Sequence, residues 1–180
     1  MQTPDLQLRP ITDDDEGFLS ALYASTREAE MNELDWDAAQ KADFLALQFR
    51  MQHQYYQQHY KQACFDIVML GEKPVGRLYH QWGGHEVRIM DIALLPEHRN
   101  QGLGSALICA LLQLADRRGL EVSLHAEYYN PVLAMYGRLG FQEVGENGVY
   151  RKLVRNPVAA SDAAPLSSLC AQLMHEPVGA

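Results

Sequence analysis

Apolar residues alternate in short stretches of this chain and recur with a helical period in longer ones. In LQLRPI the alternation of Leu6, Leu8 and Pro10 predicts an edge strand, because proline cannot donate within a central ladder. Thr12 or Asp13 then caps a helix with Asp14, Asp15 and Glu16 in its first turn and Phe18, Leu19, Leu22 and Tyr23 on its apolar face. This helix runs out in the polar segment STREAEMNEL. A second helix is predicted from Asp37 to about Tyr60, opened by Asp35 or Asp37 around Trp36, with Leu45, Phe49 and Tyr56 on one side. Gln48 and Gln52 lie one turn apart beside that stripe, as the lining of a cleft or as an exposed polar face.

The period then shortens to two. CFDIVML and VGRLYHQW, punctuated by Gly71 and Pro74, predict a hairpin, and Gly83 and Gly84 turn the chain again. In the next strand, EVRIMDIALL, Val87 and Ile89 hold one parity while Met90, Ile92 and Leu94 continue on the other. A one-residue slip of the inward face predicts a β-bulge, which frees backbone N–H and C=O groups for an extended ligand. From Gly102 to about Arg118, the residues Leu103, Ala106, Leu107, Ala110, Leu111 and Leu114 predict a helix that Gly119 stops. EVSLHA follows as a strand, then a helix in EYYNPVLAMYGRLGF with Pro131 in its first turn and Gly140 at its end. FQEVGE and VYRKLV form a last hairpin joined at Asn147 and Gly148. The order predicts a mixed α/β sheet in one domain. Beyond Asn156, Leu166, Leu169, Cys170 and Leu173 predict either a short amphipathic helix, docked or meeting a second subunit, or an unordered tail.

Composition narrows the class. The chain has 180 residues, 47% hydrophobic and 21% charged, with a formal charge of −8, which disfavours general affinity for nucleic acid. No run reaches the ~18 to 20 apolar residues of a membrane span, and MQTPDLQLRP has no signal-peptide pattern, so a cytoplasmic protein is expected, with no membrane partner. Cys64, Cys109 and Cys170 lack metal-ligand spacing and are expected to be buried reduced thiols, and no metal is expected.

The chemistry concentrates in LLPEHRNQGLGSA, where a strand passes through a charged turn and two glycines into a helix. Glycines at 102 and 104 permit close backbone approach, and the first N–H groups of the helix have no intrahelical acceptors. With Arg99 beside them they suit a pyrophosphate. A Walker loop is excluded because no lysine follows Gly104, and a dinucleotide fingerprint lacks its third glycine.

Arg99, Gly102 and Gly104 in RNQGLG instead resemble the Q/R-x-x-G-x-G/A motif of the GNAT superfamily of acyl-CoA-dependent N-acetyltransferases. NPVLAMYGRLGF, followed by a hairpin, resembles the second signature of that superfamily, and the two together cover Asp91 to Arg155. The resemblance implies a GNAT fold over residues 1–155, an α/β architecture with about six to seven strands in a mixed sheet, a splayed and bulged central strand and about four helices. Residues 156–180 would form a tail.

By the same resemblance, Ile92, Ala93 and Leu94 would bond the pantetheine arm of acetyl-CoA through their backbones. Arg99, Asn100, Gln101, Gly102, Leu103 and Gly104 would wrap the pyrophosphate, and Asn130 would contact the cofactor arm. Tyr136 would lie near the sulfur as acid for the leaving thiolate, and backbone N–H groups near Ala93 would stabilise the oxyanion. Some members carry a glutamate base on the bulged strand, and here that position falls on Arg88. Glu127 and Asp91 are the leading substitutes, with Glu86, His80 and His125 behind them. Arg27, Glu30, Gln48, Gln52 and Tyr79 are candidates to line the acceptor pocket, Arg27 favouring a carboxylate and Glu30 a polyamine. The implied reaction moves acetyl from acetyl-CoA to a primary amine such as an amino acid or polyamine. A protein N-terminal acetyltransferase and a non-catalytic CoA-binding protein stay open, as does a homodimer formed through the final strand or the tail.

Overall fold

The computed structural model describes residues 5–159 and 165–174. The parts of the expected tail at 160–164 and 175–180 lie outside them. Seven strands make one sheet: β1 (Leu6–Pro10), β2 (Cys64–Leu70), β3 (Lys73–Trp82), β4 (Glu86–Leu94), β5 (Glu121–Glu127), β6 (Gln142–Asn147) and β7 (Tyr150–Arg155), in the order β1-β2-β3-β4-β5-β7-β6. Pro10 thus falls on an edge strand, where its missing N–H is tolerated. All pairs are antiparallel except β4 with β5.

The helices are α1 (Glu16–Thr26), α2 (Glu28–Asn32), α3 (Ala38–His59), α4 (Leu103–Arg118), α5 (Leu133–Arg138) and α6 (Ser168–Leu173), more than the four expected. One addition arises at Arg27, whose backbone (φ −109, ψ 2) breaks the first predicted helix into α1 and α2 without a glycine or proline. The other, α6, buries Leu169, Cys170 and Leu173 against the core, and Gln172 Oε1 accepts the amide of Leu8 on the β1 edge. Asp37 caps α3 through a capping box with Gln40. The last hairpin turns at Gly148 and Val149, one residue later than expected, since Asn147 pairs with Tyr150 and Gly148 takes φ +61.

Two apolar layers sandwich the sheet. α4 and α6 close a large core with Val87, Ile89, Val122 and Leu124, and Tyr136 of α5 is buried in it. On the other face, Leu19 and Tyr23 of α1 and Phe49 of α3 pack with Ile67. Cys64 and Cys170 are buried, but Cys109 is exposed, which corrects the expectation for that residue: it sits off the apolar stripe of α4.

β4 carries the irregularity that positions the site. Tyr79 pairs with Asp91 but His80 pairs with Ile89, so Met90 is an extra residue in β4. Ile92 and Leu94 therefore pack on the same core as Val87 and Ile89, as the parity slip anticipates. Pairing with β5 covers only Glu86 to Ile89, and beyond Ile89 the two strands part. On its other side the upper half of β4 is pressed onto β3: a Cβ at Gly76 would stand 2.3 Å from the Ala93 carbonyl oxygen and 2.7 Å from Leu94 Cδ2.

Two outcomes follow from this packing. Gly76→Ala is expected to lower stability by ~1 to 3 kcal/mol in urea unfolding, whereas Gly84→Ala, whose added carbon meets nothing within 4 Å, stays within ~0.5 kcal/mol. A thiol reagent should titrate Cys109 rapidly in the native protein and all three cysteines only after denaturation, because burial pushes the Cys64 thiol up to about 11.

Candidate active site

The site is built where β4 leaves β5 and runs into α4. After a short 3-10 turn at Pro96–His98, Asn100 (φ 58) and Gly102 (φ 79) take left-handed conformations, and α4 begins at Leu103. A Cβ at Gly102 would meet nothing within 4 Å, so glycine is required there by conformation and not by crowding. The first-turn amides of α4 face outward, with the positive end of a 16-residue helix behind them. Arg99 does not extend over this loop. Its Nε donates to the Leu94 carbonyl at 2.9 Å and its NH2 to Ser25 Oγ at 3.2 Å, stitching β4 to α1. Gln101 Nε2 donates to the Glu97 carbonyl, and Ser105 Oγ to Met135 Sδ, which ties the loop to α5.

Ladder geometry decides which peptide groups of β4 are open. The Leu95 amide donates to the Val75 carbonyl, and antiparallel pairing alternates, so the peptide groups of Ala93 and Asp91 also point at β3. The closeness of the Ala93 carbonyl to Gly76 agrees with this. Ile92 and Leu94 turn theirs toward the opening, where Arg99 takes the Leu94 carbonyl. Of the expected backbone contacts, Ile92 and Leu94 therefore face the opening and Ala93 does not.

On the α1 and α3 side of the sheet, Asp91 Oδ2 accepts from Arg77 at 2.6 Å, and Arg77 also donates to Gln52 Oε1 of α3 at 3.2 Å. Three tyrosines feel the charge of this carboxylate. Burial first, and Asp91's charge second, push the Tyr136 phenol up to about 12. Burial and Asp91 likewise raise Tyr56 and bring Tyr79 to about 12, against the opposing charge of Arg77. Tyr136 thus lies within electrostatic reach of Asp91, and Tyr79, 1% exposed, is buried opposite Asp91 in the β3–β4 register.

At the mouth, Arg27 reaches Glu30 at 3.1 Å and Glu127, at the end of β5, at 3.7 Å. Its guanidinium lies 5.6 Å from the ring of Tyr23, whose hydroxyl donates to Gln48 Oε1. Arg27, Glu30 and Glu127 are thereby brought together, and Gln48 and Gln52 both face inward from α3.

The remaining candidates are placed elsewhere. His80 is fully buried, its Nε2 bonded to Asp66 and its Nδ1 accepting from Trp82, so it cannot receive a substrate proton. His125 is exposed, lowered by partial burial and by Arg88 and Lys152. Glu86 pairs with Glu121 at the far, closed end of the β4–β5 ladder. The Asn130 side chain accepts the Val132 amide at 3.1 Å just before α5.

Arg77 and Tyr56 escaped sequence reasoning. Arg77 lies inside the uninterrupted buried run Val75–His80, where a guanidinium requires a partner, but burial is not written in the sequence. Among the described residues, no helix is long and apolar enough to cross a membrane, and no group of three or more His, Cys, Asp or Glu is arranged to hold a metal.

Comparison with known proteins agrees with this architecture. A curated mycothiol acetyltransferase from Clavibacter michiganensis subsp. michiganensis is 36% identical over 93 residues, which are 48% of this chain and 30% of that protein. The match thus spans less than a third of that relative's length. Among solved structures, the PaiA N-acetyltransferase of Thermoplasma acidophilum in complex with coenzyme A superposes with a TM-score of 0.63 at 13% identity, covering 84% of this chain and 99% of that one. The spermidine N-acetyltransferase of Vibrio cholerae, in complex with CoA and spermine, gives 0.58 at 19% identity, covering 84% and 95%. The model of the acetyltransferase (GNAT) family matches residues 28–141, from the break after Arg27 to the end of the second signature, and the chain belongs to that family.

Proposed function

We propose that the protein transfers the acetyl group of acetyl-CoA to a primary amine of a small molecule, in a ternary complex. The observation that carries this reading is the opening between β4 and β5, where pairing stops at Ile89 and the peptide groups of Ile92 turn away from β3 just before the glycine loop. Coenzyme A in the PaiA structure and spermine in the spermidine acetyltransferase support the two substrate classes. The Arg27–Glu127 pair bridges the mouth and favours a small acceptor over an extended peptide.

In this reading the pyrophosphate rests on the loop from Arg99 to Gly104, and the pantetheine arm runs along Ile92 and Leu94. The acceptor enters past Arg27, Glu30, Gln48 and Gln52. It arrives as an ammonium, since alkylamines lose their proton near pH ~10, and must yield it to Asp91 or Glu127 before attack. Attack forms the C–N bond, the C–S bond breaks, and Tyr136 donates its proton to the departing sulfur. A phenol at about 12 remains a donor across the working range, although it is a weak acid.

The test is thiol release from acetyl-CoA against a panel of alkylamines, amino acids, polyamines and N-terminal peptides. Tyr136→Phe should lower kcat with the preferred acceptor by ~10-fold or more while leaving the Kd of acetyl-CoA unchanged. Because Tyr136 titrates only at about 12, its proton is retained to pH ~10. The rate should therefore keep rising as the amine deprotonates, and the variant's profile should be lower at every pH without a displaced limb. Acetyl-CoA binding without turnover of any acceptor would instead support a non-catalytic CoA-binding protein.

A further inference from the structure

Arg77 is a charged side chain at the centre of a buried strand, 3% exposed, on the face of β3 covered by α3. It links Asp91 of β4 to Gln52 of α3. Its Nε has no partner among the described residues, and neither has the hydroxyl of Tyr79 next to it, whose ring centroid lies 4.9 Å from the guanidinium carbon. Orphaned buried polar atoms cost stability, and an ion pair inside a protein contributes little net stability in return. An apolar cluster at this place would hold α3 to the sheet at least as well. The cost is concentrated immediately beyond the Met90 bulge, where β4 starts to part from β5.

What the arrangement secures is the attitude of one carboxylate. Arg77 holds Asp91 Oδ2, while Oδ1 takes no hydrogen bond among the described residues. Tyr56 from α3, Tyr79 from β3 and Tyr136 from α5 all stand close enough to feel its charge. A carboxylate held by one oxygen suits an ammonium at the other, through charge.

The geometry points to Arg77 as a positioning residue that pins Asp91 so that its free oxygen receives the acceptor's primary ammonium beside Tyr136. This rests on the acetyltransferase reading above. Asp91 Oδ1 takes the first proton from the ammonium, and the neutral nitrogen attacks the thioester carbon. As the C–S bond breaks, the Tyr136 proton passes to sulfur. The second proton on nitrogen returns through solvent to the Tyr136 phenolate, and the proton on Asp91 is released to solvent.

The test uses the full chain and the panel amine with the highest kcat/KM, comparing Arg77→Met, Arg77→Lys and Asp91→Asn with the parent protein. Acetyl-CoA Kd and thermal unfolding are measured alongside turnover. Arg77→Met should raise the acceptor KM by ~10-fold or more and lower kcat/KM by ~50-fold, with acetyl-CoA Kd within about twofold. Arg77→Lys, which keeps a charge, should recover kcat/KM to within ~5-fold, and Asp91→Asn should lose ~100-fold.

An unchanged acceptor KM in Arg77→Met would overturn the inference, as would a parallel loss of acetyl-CoA and acceptor binding. Should Arg77→Met not fold, Asp91→Asn decides: acceptor KM and rate like the parent's would overturn it equally. Failure of the parent protein to acetylate any amine overturns the functional reading, and is seen before any variant is made.

Discussion

One extra residue in one strand sets the geometry on which the rest depends. In a regular ladder the residues of β4 sharing a face with Val87 and Ile89 would be Asp91 and Ala93. Those positions would then drive a carboxylate into the core packed under α4. Met90 shifts the parity, so Ile92 and Leu94 join that core and Asp91 and Ala93 turn to the face covered by α1 and α3. The same residue marks where pairing with β5 ends. A strand that stays in the sheet on its β3 side and leaves it on the other keeps a fixed backbone while exposing peptide groups. Gly76 is the complement of this arrangement, because only a residue without a side chain lets β3 approach the Ala93 carbonyl so closely.

The glycine loop extends this constraint to the helices. Leu94 ends β4, and Arg99 returns from the loop to its carbonyl while reaching Ser25 of α1. The loop, the open edge of β4 and the first helix are therefore held as one unit by a single guanidinium. Arg27 makes a comparable link two residues after Ser25, at the same end of α1, where the helix breaks and the side chain reaches Glu127 on the diverging strand. Both β4 and β5 are thus tethered to the C-terminal end of α1.

What the sequence disclosed, and what it hid, follows from the range of the interactions involved. The bulge left a print because a parity slip is written in consecutive residues from Val87 to Leu94, and the loop did so because Gly102 and Gly104 stand between a strand and a strongly periodic helix. Arg77 was silent because its partners come from 25 residues before it and 14 after it, joined only when α3 lies over the β3–β4 pair. In VGRLYHQW it reads as an ordinary outward position. The break at Arg27 has no glycine or proline to announce it, and the polar segment around it suits either a helix or a bend.

The absence of a glutamate at position 88 takes on a different meaning once the register is known. On the face toward α1 and α3, the residues of β4 in sequence are Arg88, then, past the extra Met90, Asp91 and Ala93. Asp91 is therefore the next side chain along that face, one step nearer the glycine loop and within electrostatic reach of Tyr136. Arg88 is turned to the ring of Tyr60 at the end of α3, 5.8 Å from its centroid. A carboxylate moved by one step needs a different support from one standing at position 88, because it faces the base of α3 and not open solvent. Arg77 supplies that support from the neighbouring strand, holding Asp91 Oδ2 at 2.6 Å while its second contact, to Gln52, ties the pair to α3.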